Sequence, residues 1–314
     1  MSASVTPIRA AVTARRKRLS PAARRERVFA YSLLMPAVLA VFALIAYPMY
    51  LVFSISFREG KSLNFLALDR RPLGFGNYDY VLNDSATWHS VYVSLVYTFG
   101  TIIPAFAIGL LTALLLNRVF PFRRWLRSLI LLPWAVPGVM VSIIFVWLFD
   151  AQFGVVNYLL RSAGLITSDI AWYTTESTAL FAVIVPTLWK SYPFFTLTLL
   201  AAMQSIPGHL YEAARVDGAT MWQRFRHITW PGIRSPATLA LVLNGLWVFR
   251  EFDIIFAATG GGPAKATETL GIRAYNEAFG YFYMGRASVI GVLMLAIALA
   301  AVFIARRQLR KEFF

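Results

Sequence analysis

Six apolar runs, each near 20 residues or longer, divide a chain of 314 residues at 28–57, 91–116, 128–149, 179–203, 237–257 and 286–305. A helix rising about 1.5 Å per residue needs about 20 residues to cross roughly 30 Å of hydrocarbon, so each run has the length of a transmembrane helix. Composition agrees, because 58% hydrophobic against 14% charged residues is more apolar surface than one soluble core of this size buries. The expected fold is all-α: a polytopic membrane bundle of six transmembrane helices, without a second large domain and without the inverted repeat of many secondary transporters. The first run is longer than a signal-peptide core and no small-residue cleavage site follows it, so it is expected to be retained.

Orientation follows from the basic residues. With the N-terminus inside, twenty Lys and Arg fall on the cytoplasmic side (1–27, 117–127, 204–236 and 306–314) and seven on the other (58–90, 150–178 and 258–285). This positive-inside asymmetry predicts cytoplasmic N- and C-termini. It also accounts for the formal net charge of +15 without a nucleic acid. The domain reading is a basic cytoplasmic arm at 1–27, a six-helix transmembrane bundle at 28–305 and a basic cytoplasmic tail at 306–314. The arm, with Arg15-Arg16-Lys17-Arg18 and Arg24-Arg25, is expected to be disordered and drawn to anionic membrane lipid, with a specific protein contact as the alternative.

Enzyme signatures are weak. The chain has no cysteine, and its three histidines (His89, His209, His227) lack zinc-binding spacing. Gly60-Lys61-Ser62 resembles the end of a phosphate loop, but the pattern needs glycine where Ile55 stands, so no nucleotide is expected to bind here. No GxSxG elbow occurs. Catalytic residues, metal and cofactor are therefore all expected to be absent from this chain. In the loops, Gly74, Gly76, Asn77, Tyr78 and Asp79 read as turn chemistry, Trp172 and Tyr173 mark the second long loop, and Thr259-Gly260-Gly261-Gly262-Pro263 reads as a shaped loop. Pro133, Pro137 and Gly138 predict a break in the third run, serving as a packing kink or a moving hinge.

One polar insert, residues 204–236, interrupts the apolar text. Around Gly218 it divides into two short amphipathic pieces: Leu210, Ala213, Ala214 and Asp217 in the first, and Met221, Phe225 and Ile228 at i, i+4, i+7 in the second. Pro207 and Gly208 punctuate its entrance, and Pro231 and Pro236 are expected to stop its exit. Amphipathicity alone leaves two uses open, docking in a partner's groove or resting on the lipid surface.

Spacing adds a resemblance. Glu212-Ala213-Ala214, then Gly218, nine residues, Ile228 and Pro231, resembles the EAA loop of permease subunits of ATP-binding-cassette importers, with Trp230 where that family usually has leucine. Gln204-Ser205-Ile206-Pro207, Leu210-Tyr211, Asp217-Gly218-Ala219, Phe252-Asp253-Ile254-Ile255 and Thr259–Pro263 with Thr267 are similar to its carbohydrate-uptake branch, so the likeness covers roughly residues 28–310. The resemblance implies a permease in the cytoplasmic (inner) membrane of a prokaryote. Its partners would be a second homologous permease, two cytoplasmic ATPases that bind the ATP, and an extracytoplasmic solute-binding protein. Glu212 would meet a cation on the ATPase, Gly218 would supply the turn, and Ala213 and Ala214 would allow close approach, with Asp217, Ile228 and Pro231 completing the coupling set.

Charges inside spans cost about 2.5–3.5 kcal/mol each on insertion scales, so Lys190, Arg250, Glu251 and Asp253 call for partners or a wet cavity. At about 100° per residue, Asn244, Trp247, Val248 and Glu251 share a face of the fifth run, with Asp253 nearly opposite Asn244. An amide, an aromatic ring and a carboxylate suit a sugar, whose hydroxyls pair with polar groups while its CH face stacks on the ring. Ser191, Phe194 and Thr198 recur on the fourth run beside Lys190, and the resemblance implies sugar contacts from these two helices. The plain alternative is that Trp247 and Phe194 only pack, and Arg250 and Asp253 are expected to neutralise each other. The functional expectation is a sugar-import permease. The alternatives are a permease for a phosphorylated polyol or other anion, and a polytopic membrane transferase.

Overall fold

The computed structural model describes residues 21–61 and 71–313. Every regular element among them is helical, apart from one isolated bridge between Arg58 and Leu73. Arg15–Arg18 of the expected arm lie outside the described residues. The chain divides into two compact units, Met1–Leu51 and Val52–Phe314.

In the first, α1 (Pro21–Val41) leads through a π-helical turn (Phe42–Ala46) into the start of α2 (Tyr47–Ser56), whose remainder belongs to the second. Residues 21–27, which were expected to be disordered, are helical within α1. The second unit holds α3 (Gly76–Asn83), α4 (Ser85–Leu116), α5 (Arg123–Ala135), α6 (Gly138–Leu148), α7 (Val155–Ser162) and α8 (Glu176–Gln204). It continues with α9 (Gly208–Val216), α10 (Met221–Arg224), α11 (Trp230–Phe249), α12 (Asp253–Thr259), α13 (Leu270–Tyr275) and α14 (Met284–Phe313). The basic tail from Arg306 continues α14 in its backbone, and Gly76-Asn77-Tyr78-Asp79 open a helix rather than a turn.

Among the described residues, four helices are long and apolar enough to cross a membrane: Val28–Ser56, Ser85–Leu116, Glu176–Gln204 and Met284–Arg306; counting the bent pair Arg123–Ala135 and Gly138–Leu148 as one span gives five. The third run is therefore not one straight helix: its halves meet at 96°. Val136, held extended before Pro137 at φ −76°, ψ 132°, ends α5 there. The fifth run is also broken, because α11 ends at Phe249 and α12 starts at Asp253.

The main core joins α4, α8 and α11 through Tyr97, Leu116, Phe195, Leu199, Met203 and Ile233, all buried. Tyr97 and Thr187 share a hydroxyl hydrogen bond of 2.6 Å across α4 and α8. Prolines inside α8 leave carbonyls without helical donors, and loop side chains can fill that need: the Tyr173 hydroxyl donates to Ala182 O, four residues before Pro186, at 3.2 Å. Gly109 sets the closeness of α4 to α8, since a Cβ there would stand 2.5 Å from Phe195 Cβ and 3.0 Å from Tyr192 O. We expect Gly109→Leu to destabilise the bundle by about 1–3 kcal/mol, the usual scale of overpacking, read as a lowered Tm in detergent. Gly245→Ala, whose new Cβ would meet nothing nearer than 3.6 Å, should be tolerated.

Candidate functional site

The polar insert folds as two helices about a left-handed glycine. In α9 the last turn closes as a Schellman motif: Ala219 N–H donates to Ala214 O (2.8 Å), Gly218 N–H to Arg215 O (3.1 Å) and Asp217 N–H to Ala213 O (3.0 Å). Gly218 carries φ +76°, which only glycine adopts without strain. Thr220 then starts α10 with a capping box, accepting from Gln223 N–H while the Gln223 side chain accepts from Thr220 N–H. The second piece does not stop at proline. It runs through a π-helical turn, Phe225–Thr229, straight into α11, with Pro231 in the first turn of that helix and Pro236 inside it. The π-helical turn just before Pro231, closed by Trp230 N–H donating to Phe225 O, carries the helix past it although proline supplies no donor to that turn.

Glu212, Ala213, Asp217, Gly218 and Pro231 are exposed, and Ala214 and Ile228 half-buried. Tyr211 and Thr229 hydroxyls, 3.0 Å apart, bind the two pieces together. A cavity of about 490 Å³ lies between them, lined by Leu210 and Pro207 from one side and His227, Ile228 and Pro231 from the other. Sequence periodicity placed Met221 on an apolar face with Phe225 and Ile228, yet Met221 is exposed while the other two are half-buried. Trp222 was missed: it is 66% exposed and stacks on Phe225 at 5.5 Å, with Trp230 next in line at 6.4 Å from Phe225. Val216 is exposed as well, so the insert shows several apolar side chains on a stretch otherwise rich in charge.

Of the residues expected on a substrate path, the structure brings Phe194 of α8 and Trp247 of α11 together, ring centroids 5.0 Å apart and edge to face. Ser191 is buried and Trp247 44% exposed, whereas Asn244 is only 3% exposed with its Oδ1 buried and unpartnered. Asn244 and Trp247 thus differ in burial within α11, and Glu251 does not continue their helical face. It lies past the end of α11, where its Oε1 accepts from Ile254 N–H at 3.3 Å and caps α12.

The expected Arg250–Asp253 ion pair does not form. Helix geometry lapses at Arg250 (φ −98°, ψ 6°), so the i, i+3 relation no longer brings the two together, and Arg250 Nε donates to Leu246 O instead. Lys190 has a structural partner: its Nζ donates to Val136 O at 2.7 Å, the carbonyl at the C-terminal end of α5. A cation is favoured there by the partial negative charge of a helix C-terminus. Nearby, Ser142 donates to Ile254 O at 3.0 Å, fastening α6 to α12.

A further polar cluster had no motif to announce it. Arg273 pairs with Asp84, 189 positions away, with Glu268 at 3.4 Å, and with Glu277 at 3.8 Å, and its Nε donates to Thr87 Oγ1. Burial pushes the Glu277 carboxyl above its ordinary range, while the Arg273 guanidinium pulls it back.

Comparison with known proteins places this geometry in a family. The profile described as the inner membrane component of binding-protein-dependent transport systems matches residues 105–312. The trehalose/maltose transport system permease protein MalF of Thermococcus litoralis is 33% identical over 290 residues, covering 92% of this chain and 96% of the relative. The sulfoquinovosyl glycerol permease SmoG of Agrobacterium fabrum is 32% identical (91% and 92% covered), and the diacetylchitobiose uptake permease DasB of Streptomyces coelicolor 33% (90% and 87%). A chain from the crystal structure of a bacterial ABC transporter involved in the import of the acidic polysaccharide alginate shares the fold. It matches with TM-score 0.78 at 23% identity, covering 91% of this chain and 96% of that one. The chain belongs to the inner membrane components of binding-protein-dependent transport systems, and is a multi-pass transport subunit rather than an enzyme.

Proposed function

We propose that this chain is one of two related permease subunits of an ATP-driven sugar importer in the cytoplasmic membrane of a prokaryote. The observation that carries the reading is similarity over about nine-tenths of the chain to permeases named for trehalose or maltose, sulfoquinovosyl glycerol and diacetylchitobiose. In this reading the bundle at 28–305 crosses the membrane six times, with the arm, the insert at 204–236 and the tail at 306–314 in the cytoplasm. An extracytoplasmic binding protein delivers the solute, and two ATPases, which hold the ATP, grip the insert of each permease. The exposed Glu212 and the Gly218 turn support a protein partner over a purely lipid contact, and the exposed apolar side chains of Val216, Met221 and Trp222 give such a partner surface to bury.

The solute passes between α8 and α11, beside Phe194 and Trp247. A neutral sugar is favoured over an anion because Lys190 and Arg250 already donate to backbone carbonyls. The test is uptake into proteoliposomes holding the complete transporter and its binding protein, with labelled trehalose, maltose and diacetylchitobiose. We expect ATP-dependent uptake of a neutral saccharide; uptake of a phosphorylated polyol alone would overturn the reading. Topology has its own check, since reporter fusions at Gly74 and Gly261 should both report the outside, and cytoplasmic signals there would reject the six-span arrangement.

A further inference from the structure

A pocket of about 330 Å³ opens beside the Arg273 cluster, walled by α3, α4, α13 and α14 and the π-helical turn Asn276–Gly280 that follows α13. Two of its groups are left with unused hydrogen-bonding capacity of opposite sense. Glu277 lines the pocket, and its Oε1 accepts no hydrogen bond among the described residues, with Arg273 Nη2 3.8 Å away and beyond hydrogen-bond reach. Arg286 packs against two rings, its Cζ 3.5 Å from the Tyr80 centroid and 3.9 Å from that of Tyr283, and among the described residues its N–H groups have no acceptor. The two do not pair with each other, so one cavity offers an idle acceptor and idle donors together.

The surroundings hold that arrangement in place. Arg273 is fixed by Asp84, Glu268 and Thr87, and Asn276 is fixed by donating to Glu268 Oε1 at 3.3 Å. Four basic side chains and three carboxylates line the pocket, a near balance that gives a strongly charged ligand little advantage. A hydroxyl both donates and accepts, so a vicinal diol satisfies Glu277 and Arg286 at once, and a volume of this size is at the lower end of that used by small-molecule sites. We propose that this pocket binds a neutral saccharide, as a site separate from the path between α8 and α11. The ligand class rests on the sugar-import reading, which places the pocket on the outer side.

The experiment is saturation-transfer NMR on the full chain, copurified with its second permease and ATPases and without binding protein, using maltose and diacetylchitobiose as probes. A saturable signal is expected. Glu277→Gln, which replaces the acceptor oxygen by an amide of similar shape, and Arg286→Gln, outside the buried network, should each weaken it about tenfold, as loss of a charged hydrogen-bonding group does. Gly245→Ala, which lies outside the pocket lining and has room for its new Cβ, should leave it within about twofold, given the independence of separated sites.

Arg286→Gln keeps the test decisive if Glu277→Gln fails to assemble. The proposal is overturned if neither probe binds saturably, or if Trp247→Ala abolishes binding while both pocket variants keep it. It is also overturned if these variants weaken only docking of the binding protein, which would make the pocket a protein contact. Sugar uptake without pocket binding would sink the pocket alone, whereas pocket binding without sugar uptake would sink the import reading and leave the site.

Discussion

Gly218→Pro is expected to leave the membrane bundle folded and to abolish solute-stimulated ATP hydrolysis in the reconstituted transporter. Proline holds φ near −65°, whereas Gly218 sits at +76°, and proline lacks the N–H that donates to Arg215 O. The Schellman closure of α9 would be lost, and with it the angle at which α9 meets α10. Gly218→Ala is the graded version. A Cβ there meets nothing within 4 Å, so only the left-handed backbone resists it, at about 1–2 kcal/mol. Partial coupling should survive in that variant. Glu212→Ala acts without touching the fold, because Glu212 is exposed and accepts no hydrogen bond among the described residues. If it meets a cation on the ATPase, truncation should reduce stimulated hydrolysis at least about tenfold, since removing one partner of an interfacial charge pair costs roughly 2–5 kcal/mol. Circular dichroism and copurification with the second permease report on folding separately. Normal stimulated hydrolysis and transport in both Glu212→Ala and Gly218→Pro would remove the insert from the coupling mechanism.

The same insert shows where sequence carries structural information and where it stops. A glycine flanked by two amphipathic pieces was legible because both signals are local, one in the backbone freedom of Gly218 and the other in side-chain period. The exit was misread for a local reason too: proline ordinarily breaks a helix interior, but a π-helical turn just before Pro231 lets the helix run on, and sequence alone does not announce that turn. Apolar runs located the long helices for similar reasons, since hydrocarbon thickness imposes length. Pro133, Pro137 and Gly138 announced a break between α5 and α6, but neither its 96° angle nor its fastening, in which the carbonyl of Val136 finds its donor 54 positions later in Lys190. An ionisable residue in an apolar run signals function or structure alike, and only the partner decides. The Arg273 cluster lay beyond sequence reasoning altogether, because Asp84, Glu268 and Glu277 converge only once α4, α13 and α14 are in contact.

Geometry also sharpens what mutation of the substrate path should do. Trp247→Ala removes a ring that is partly exposed and packed edge to face on Phe194, so it takes away a stacking surface without opening a cavity in the main core. Uptake of the transported sugar should fall about ten- to hundredfold, the equivalent of roughly 1–3 kcal/mol for one aromatic contact or one hydrogen bond to a desolvated partner. Glu251 needs a gentler change than alanine. Its Oε1 caps α12 through Ile254 N–H, and Glu251→Gln keeps that acceptor while removing the charge. A loss of uptake in Glu251→Gln with unchanged Tm therefore reports on the solute rather than on the cap. Lys190→Ala should behave in the opposite way: Val136 O loses its donor, the bend between α5 and α6 loosens, and Tm falls before selectivity does. Were the solute an anion, Lys190→Ala and Arg250→Ala would instead be the most damaging to uptake at unchanged Tm. Retained uptake of every sugar tested in the double variant Trp247→Ala, Glu251→Gln would mean that Phe194 and Trp247 only pack, and that the path runs elsewhere.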